Sequence, residues 1–357
     1  MADYEVRWAP FLTPTSYYGQ LPVTEFTWSD TLNSPGSITG KIPLNPYPGY
    51  TSPLTSDTFA EGRTVLWVAR DGVPVWTGIL WGWDVDAGAD TFTFTGEGWH
   101  SYARKVPLNG GFDATDQATI ADYIISRVNN FTDAATDLIT ASNPVTGVTR
   151  DQYWYWWDPP TCGAALEELA SQDHGFDFRY RPVDDGTGVW SVVFEIGYPA
   201  TGDATGLVFD LEANVASLRE TSDGKSLATS MDAFGSGSGQ EVLVTTSTSG
   251  ALFDLGYPGL WSKVSYSDVK ETAILQAHLT RDLARVSAPI RQLEMEVFSD
   301  TAPTLGEYGV GDLVTVRADR GFLQLDDLYR ITSRTVSVDP GGNETVQLSL
   351  SPAAMFT

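Results

Sequence analysis

Two stretches near opposite ends of the chain follow the same plan. VARDGVPVWTGIL, residues 68–80, reads as a strand, a tight turn at Asp71-Gly72 and a second strand. VTVRADRGFLQLDDLYRI, residues 314–331, has a β-rich run, an Asp-Arg-Gly turn and a second run ending in Tyr329-Arg330-Ile331. Apolar and β-branched runs on either side of a glycine turn signal an antiparallel hairpin. A chain that builds such a unit near each end is committed to antiparallel sheet at both ends. The likeness between the two stretches is too short to establish an internal repeat by itself.

Bulk properties narrow the function. At 357 residues the chain is long enough for two or three domains, each with its own core. Its 12 tryptophans favour strands and broad contact surfaces. With 46 acidic against 21 basic side chains, the net charge is −25. Such a surface repels nucleic acid and anionic membranes, because phosphate recognition needs clustered Lys and Arg. Charge of this kind accounts for solubility and says nothing about fold. Cys162 is the only cysteine, so no intrachain disulfide is available, as expected of a chain folded in a reducing cytoplasm. The opening MADYEVRWAP has acidic residues and no apolar core, so no signal peptide is expected. No run of about 18 apolar residues suggests a membrane span, and no membrane anchor is expected.

The patterns change along the chain. Residues 1–109 read as four to six short strands separated by turn signals, the pattern of a small barrel or sandwich. From Gly110 the period becomes helical. Ile120, Ile124 and Val128 form one stripe, with Thr115 or Asp116 as the cap. A second helix contains Leu166, Leu169 and Ala170, with Thr161 as its N-cap and Gly175 as the left-handed residue closing it. A hairpin turning at Asp184-Asp185-Gly186 completes an α+β unit over 110–206. The chain is β-rich again from Leu207, apart from one helix with Leu275, Leu279 and Leu283 at four-residue spacing. Asp268 and Glu271 are the ends of a capping-box pattern there, and Pro289 stops the helix.

Reactive chemistry has little support. His100, His174 and His278 are scattered, with no zinc-binding spacing, and each reads as a structural histidine. No G-x-S-x-G elbow is present. GSGSGQ and Gly224-Lys225-Ser226 lack the rest of a phosphate loop and read as turns. Asp84, Asp86 and Asp90 resemble part of a calcium loop, but the glycine and glutamate such a loop requires are missing, which favours a hairpin at Ala87-Gly88. The doublets Asp84/Asp86, Asp184/Asp185 and Asp326/Asp327 are openings for a carboxylate-dependent glycosidase, though with 46 acidic residues such doublets arise by chance. YWYWW, running from Tyr153 to Trp157, is the best case for a ligand. As a strand it would place Tyr153, Tyr155 and Trp157 on one face and Trp154 and Trp156 on the other, which suits burial between layers or an interface better than a sugar platform. No catalytic, cofactor-binding or metal-binding residue is assigned, no cofactor is expected, and no enzyme activity is expected.

Four stretches carry a family resemblance: TLNSPGSITGKIPL (31–44), VLWVARDGVPVWTGIL (65–80), AALEELASQDHGFDFRY (164–180), and the run from GVGDLVTVRADRG to VDPGGNETVQLSLSP near the C-terminus. In order and spacing they resemble the tail-hub, or minor tail, proteins of long-tailed siphophages, especially those infecting actinobacteria. The resemblance spans nearly the whole chain. It implies a mainly β fold with two similar small β-barrels, 1–109 and 207–251 with 289–357. It further implies an intervening α+β domain at 110–206 and a helical insertion in the second barrel at 252–288. The implied role is structural: a homotrimeric baseplate hub in the virion tail tip, made in the host cytoplasm, through which DNA passes without specific binding. Three chains with two similar barrels each would match a sixfold tail tube on one side and threefold tip components on the other. Implied partners are the distal tail protein ring, the tape measure protein C-terminus and downstream tip or fibre proteins. Relatives often continue into a peptidoglycan-cleaving domain or a fibre; this sequence ends at Thr357, and such an activity is expected on another protein. The alternatives are a glycan-binding receptor module using Tyr153 to Trp157 and a carboxylate-dependent glycosidase.

Overall fold

The computed structural model describes residues 2–14, 19–45, 54–131, 139–141, 143–267 and 269–353. The chain divides into two compact units, Met1–Leu218 with Glu294–Thr357, and Arg219–Leu293.

The larger unit begins with β1 (Tyr4–Pro10), β2 (Gly19–Leu21), β3 (Glu25–Thr31), β4 (Ser34–Pro43), β5 (Thr64–Arg70), β6 (Val73–Asp86) and β7 (Thr91–Gly98). In β5, TVLWVAR, every residue but the last is buried. It is a continuous apolar run because both faces are covered. Val65, Trp67 and Ala69 enter a core shared with the middle of the chain, and the alternate residues Leu66 and Val68 are equally buried. Arg70 pairs with Val73 across the first quoted hairpin, and Asp71 and Gly72 take φ of 52° and 81°. A two-residue loop with both residues left-handed matches the twist of the strands it joins.

The middle of this unit runs α1 (His100–Ala103), β8 (Gly110–Asp116), α2 (Gln117–Asn129), β9 (Ile139–Ala141), β10 (Thr149–Trp154), α3 (Cys162–Ser171), β11 (Asp177–Asp184) and β12 (Trp190–Gly197). β8 and β10 form an antiparallel ribbon. β12 is the centre of a three-stranded sheet, antiparallel to β11 and parallel to β9. Asp116 starts α2 by accepting from the Ala118 N–H at 2.8 Å, and Thr161 starts α3 by accepting from the Ala164 N–H at 3.2 Å. The stripes Ile120, Ile124, Val128 and Leu166, Leu169 enter the same core as Trp67. The end of α3 differs from expectation. His174 takes the positive φ, 55°, and Gly175 does not close the helix. Gly175 is needed for close approach instead, since a Cβ there would lie 2.2 Å from the Ala170 carbonyl oxygen.

The rest of the chain supplies β13 (Ala204–Asp210) and β14 (Val215–Asp223), then β15 (Ser230–Phe234), β16 (Val244–Thr248), α4 (Gly250–Asp254), β17 (Trp261–Ser265) and α5 (Thr272–Val286). It ends with β18 (Ile290–Val297), β19 (Leu313–Arg320), β20 (Leu323–Val338) and β21 (Glu344–Pro352). The second quoted hairpin is β19–β20. Arg320 pairs with Leu323, so its two-residue loop is Gly321-Phe322, one step beyond the Asp-Arg-Gly turn, and Gly321 supplies the positive φ of 61°.

The strand order explains why the hairpin occurs twice. The first strands lie in the order β1-β5-β6-β7-β4-β3, and the last in the order β13-β19-β20-β21-β18-β14. Leaving out β2, a three-residue edge strand beside β1, and numbering the others by position along the chain, both are first-fourth-fifth-sixth-third-second. The halves differ at two contacts: β2 pairs with the outer side of β1, where β13 among the described residues is paired with β19 alone, and β1 pairs with β5 antiparallel, whereas β13 pairs with β19 parallel. They also differ at one connection. β3 turns directly into β4, whereas between β14 and β18 the chain makes most of the smaller unit.

The halves do not stand as two closed barrels among the described residues. They join into one 13-stranded sheet through β20 and β3. The 16-residue β20 makes this possible. Its first part, through Arg330, pairs with β19; its second part, Ser333 to Val338, pairs with β3, and a register shift between Ile331 and Ser333 separates them.

In the smaller unit β15 lies between β16 and β17. Leu275, Leu279 and Leu283 of α5 bury one helical stripe with Met231 and Ala233 of β15. The α5 cap is Glu271, which makes no side-chain capping bond. Its expected partner Asp268 lies outside the described residues. This unit takes in residues 219–251 as well as the segment expected to be inserted.

Candidate functional site

The candidates from sequence do not converge. His100 is buried, its Nε2 2.7 Å from Glu167 Oε1 and its ring 4.9 Å from Phe178. His174 offers its carbonyl to the Gln117 side chain, and His278 stacks on Tyr266 at 4.7 Å. Burial pushes the Cys162 thiol up to about 12, away from the reactive range. Asp86 accepts from the N–H groups of Gly88 and Ala89 at 2.9 and 3.0 Å, and Asp90 accepts from the Asn45 amide at 2.8 Å. These acids therefore shape the β6–β7 hairpin. Asp184 accepts from Gly186 N–H and Asp185 from Thr187 N–H, which makes them turn-formers. Asp326 takes an ion pair from Arg317 at 2.8 Å. Among the described residues no three His, Cys, Asp or Glu gather to hold a metal ion. Among the same residues no helix is long and apolar enough to cross a membrane.

What the fold gathers is a polar junction in the larger unit. Asn33, at the β3–β4 turn with φ 57°, donates to Asp177 Oδ1 at 2.9 Å and accepts from the Phe178 N–H at 2.6 Å. Arg330 of β20 reaches the same carboxylate, Nη1 to Oδ2 2.6 Å, and donates to the Thr201 and Gly311 carbonyls at 2.6 and 3.1 Å. Asp177 of β11 thus ties the α+β layer to both halves of the large sheet. Nearby, Arg334 pairs with Asp30 at 2.7 Å across the β20–β3 seam, and Arg179 pairs with Glu195 at 2.9 Å. Trp76, Tyr180, Arg179, Arg181 and Arg334 are among the walls of a cleft of about 430 Å³ here. A further seam bond joins Arg70 of β5 to the nearly buried Glu344 of β21 at 2.8 Å, with the Tyr4 hydroxyl donating to the same carboxylate. Neither junction stood out in the sequence. The one available signal was Arg330 itself, a cation within the buried run Tyr329-Arg330-Ile331.

The aromatic stretch takes a different form from the one expected. β10 ends at Trp154, and only that ring is buried. Tyr155, Trp156 and Trp157 belong to a turn closed by the Asp158 N–H donating to the Tyr155 carbonyl at 3.1 Å. Their exposures are 51%, 76% and 64%, so they are not packed between layers. The alternating-strand reading fails because the partner strand β8 begins at Gly110, opposite Trp154, so no ladder pairing reaches the last three rings.

No protein-family model and no curated protein matches the sequence. Solved structures do match. The 43 kDa tail protein of prophage MuSo2 from Shewanella oneidensis is 15% identical with a TM-score of 0.68, covering 99% of each chain. The tail protein from Neisseria meningitidis MC58 is 13% identical with a TM-score of 0.62, covering 99% of this chain and 98% of that one. The prophage tail protein gp18 from Listeria monocytogenes EGD-e is 13% identical with a TM-score of 0.54, covering 97% and 94%. Over essentially its whole length, this chain has the mainly β fold of these phage tail proteins.

Proposed function

We propose that the chain is a non-enzymatic structural component of a phage-type tail tip, a hub that assembles as a homotrimeric ring. The observation that carries this reading is the repeated strand order of the two halves, on a fold shared with tail proteins. Two equivalent lobes per chain give three copies six equivalent positions, so one face can meet a sixfold tube while the other keeps threefold symmetry. In this reading the strands of residues 1–109 form one lobe, and β13, β14 and β18 to β21 form the other. The α+β region 110–206 braces them, and the chain between β14 and β18 is an insertion in the second lobe. Its neighbours are the distal tail ring, the tape measure C-terminus and tip or fibre proteins of a long-tailed virion, of the actinobacteriophage type on the sequence resemblance. DNA passes through the ring without specific binding. Three copies carry 3 × (−25) = −75 charges, and acids on the inner wall repel DNA within a screening length of about 8 Å.

Light scattering on the purified chain tests the assembly. The expected species has three times the chain mass, forming alone or on addition of the tail ring. A particle that stays monomeric with and without the ring overturns the proposal. Substituting inner-wall acids with lysine is expected to slow DNA ejection from assembled particles.

A further inference from the structure

The rings after β10 form a surface that the tail-tip reading leaves without a role. Tyr155 and Trp157 lie parallel, centroids 4.5 Å apart at 13°. Trp156 stands across Trp157 at 86° and 5.8 Å. Tyr153, on β10 just before them, is also exposed. Gly111 opposite it leaves room for its ring, since a Cβ there would lie 2.9 Å from Tyr153, and its hydroxyl donates to Asp113. Keeping these rings in water forgoes roughly 25 cal/mol for each Å² that burial would remove. Contiguous exposed apolar surface of this kind marks an interaction site.

The site is preformed. Trp154 anchors the start of the loop in the core, with its indole N–H 3.3 Å from Glu168. The Pro160 carbonyl accepts from Leu108 N–H at 2.8 Å, and Cys162 N–H donates to the Val106 carbonyl at 2.7 Å. A ligand therefore meets rings already in place and loses little affinity to loop ordering.

The surroundings define the ligand chemistry. Asp113, Asp151 and Asp158 lie next to the rings in the ribbon and loop; Asp151 accepts from the Ala114 N–H at 2.7 Å and Asp113 from the Tyr153 hydroxyl, and each carboxylate has further lone pairs to offer. Carboxylates only accept hydrogen bonds, so the partner must bring donors. The net charge of −25 disfavours an anionic partner. Asp151, Gln152 and Asp158 flank the rings in sequence, so the rim offers hydrogen-bonding groups around an apolar face. A pyranose meets both demands: its C–H face lies on an aromatic ring and its hydroxyls donate to carboxylates.

We propose that the loop bearing Tyr153, Tyr155, Trp156 and Trp157 is a binding platform for a neutral oligosaccharide. The test uses the intact protein on an array of neutral and acidic oligosaccharides, followed by calorimetric titration of the best neutral ligand. Trp156→Ala, Trp157→Ala and Tyr155→Ala remove exposed rings, and Leu255→Ala, an exposed residue of the smaller unit, is the control. Saturable binding to neutral members, weakened tenfold or more by the ring variants and unchanged in the control, is expected. Absence of binding, binding indifferent to the ring variants, or preference for acidic glycans overturns the proposal. So does a change in oligomer mass in the ring variants without glycan binding, which assigns the rings to a protein contact. None of these outcomes depends on the tail-tip reading.

Discussion

Arg330 is fully buried, and its guanidinium meets Asp177 and the carbonyls of Thr201 and Gly311. Removing one partner of a buried pair leaves the other charge uncompensated, at about 3–5 kcal/mol. Arg330→Met is therefore expected to lower the unfolding free energy of the larger unit by roughly that amount in urea titrations. Arg330→Lys loses the planar fork and is expected to recover only part of it. His100 makes a different prediction. Burial holds its pKa below the ordinary value of 6.5, with the Glu167 carboxylate opposing the shift. A base whose folded pKa is depressed contributes stability that is complete above the unfolded value and lost as pH falls through the folded one. The urea midpoint is expected to be flat from pH 8 to about 7 and to decline below about 6.5. His100→Gln should flatten that decline; an unchanged slope counts against the assignment. Neither residue's role was legible from its neighbours in sequence. Arg330 lies in a run that otherwise reads as core, and its partners come from Asp177, Thr201 and Gly311, brought together only by folding.

Elements were more legible. The caps Asp116 and Thr161 and the stripes of α2, α3 and α5 follow from local chemistry, because a helix satisfies its own backbone and needs only one buried face. Leu279 of α5 is fully buried against β15. Leu279→Ala is expected to destabilise the smaller unit by about 2–5 kcal/mol, read as faster amide exchange in β15 and α5. The hairpins were equally clear, though the second loop is Gly321-Phe322, one step beyond the Asp-Arg-Gly turn. The YWYWW stretch failed as a strand because alternation of rings does not show where backbone pairing ends. That boundary is set by the partner strand, which begins at Gly110 opposite Trp154, far away in sequence.

For the whole molecule, the repeated strand order makes the insertion separable. The first half joins β3 to β4 by a tight turn, where the second half inserts most of the smaller unit between β14 and β18. Glu220 and Arg291, on those two strands, are 3.6 Å apart, so the ends of the insertion lie close together. Replacing residues 224–289 with a short Gly/Ser linker is expected to leave the larger unit folded, with its cooperative urea transition retained. Loss of that transition would show that the two units fold as one.

The amino-acid order alone settled the chain's β-rich ends, its helical middle, three of its helices and the twin hairpins, because periodicity, caps and two-residue turns are written within a few neighbouring residues. Only the tertiary structure decided that the two ends share one strand order, that β20 sews them into a single sheet, and that Asp177 locks the layers together. Strand pairing and buried charge depend on partners far along the chain, and no local pattern specifies which of them will meet.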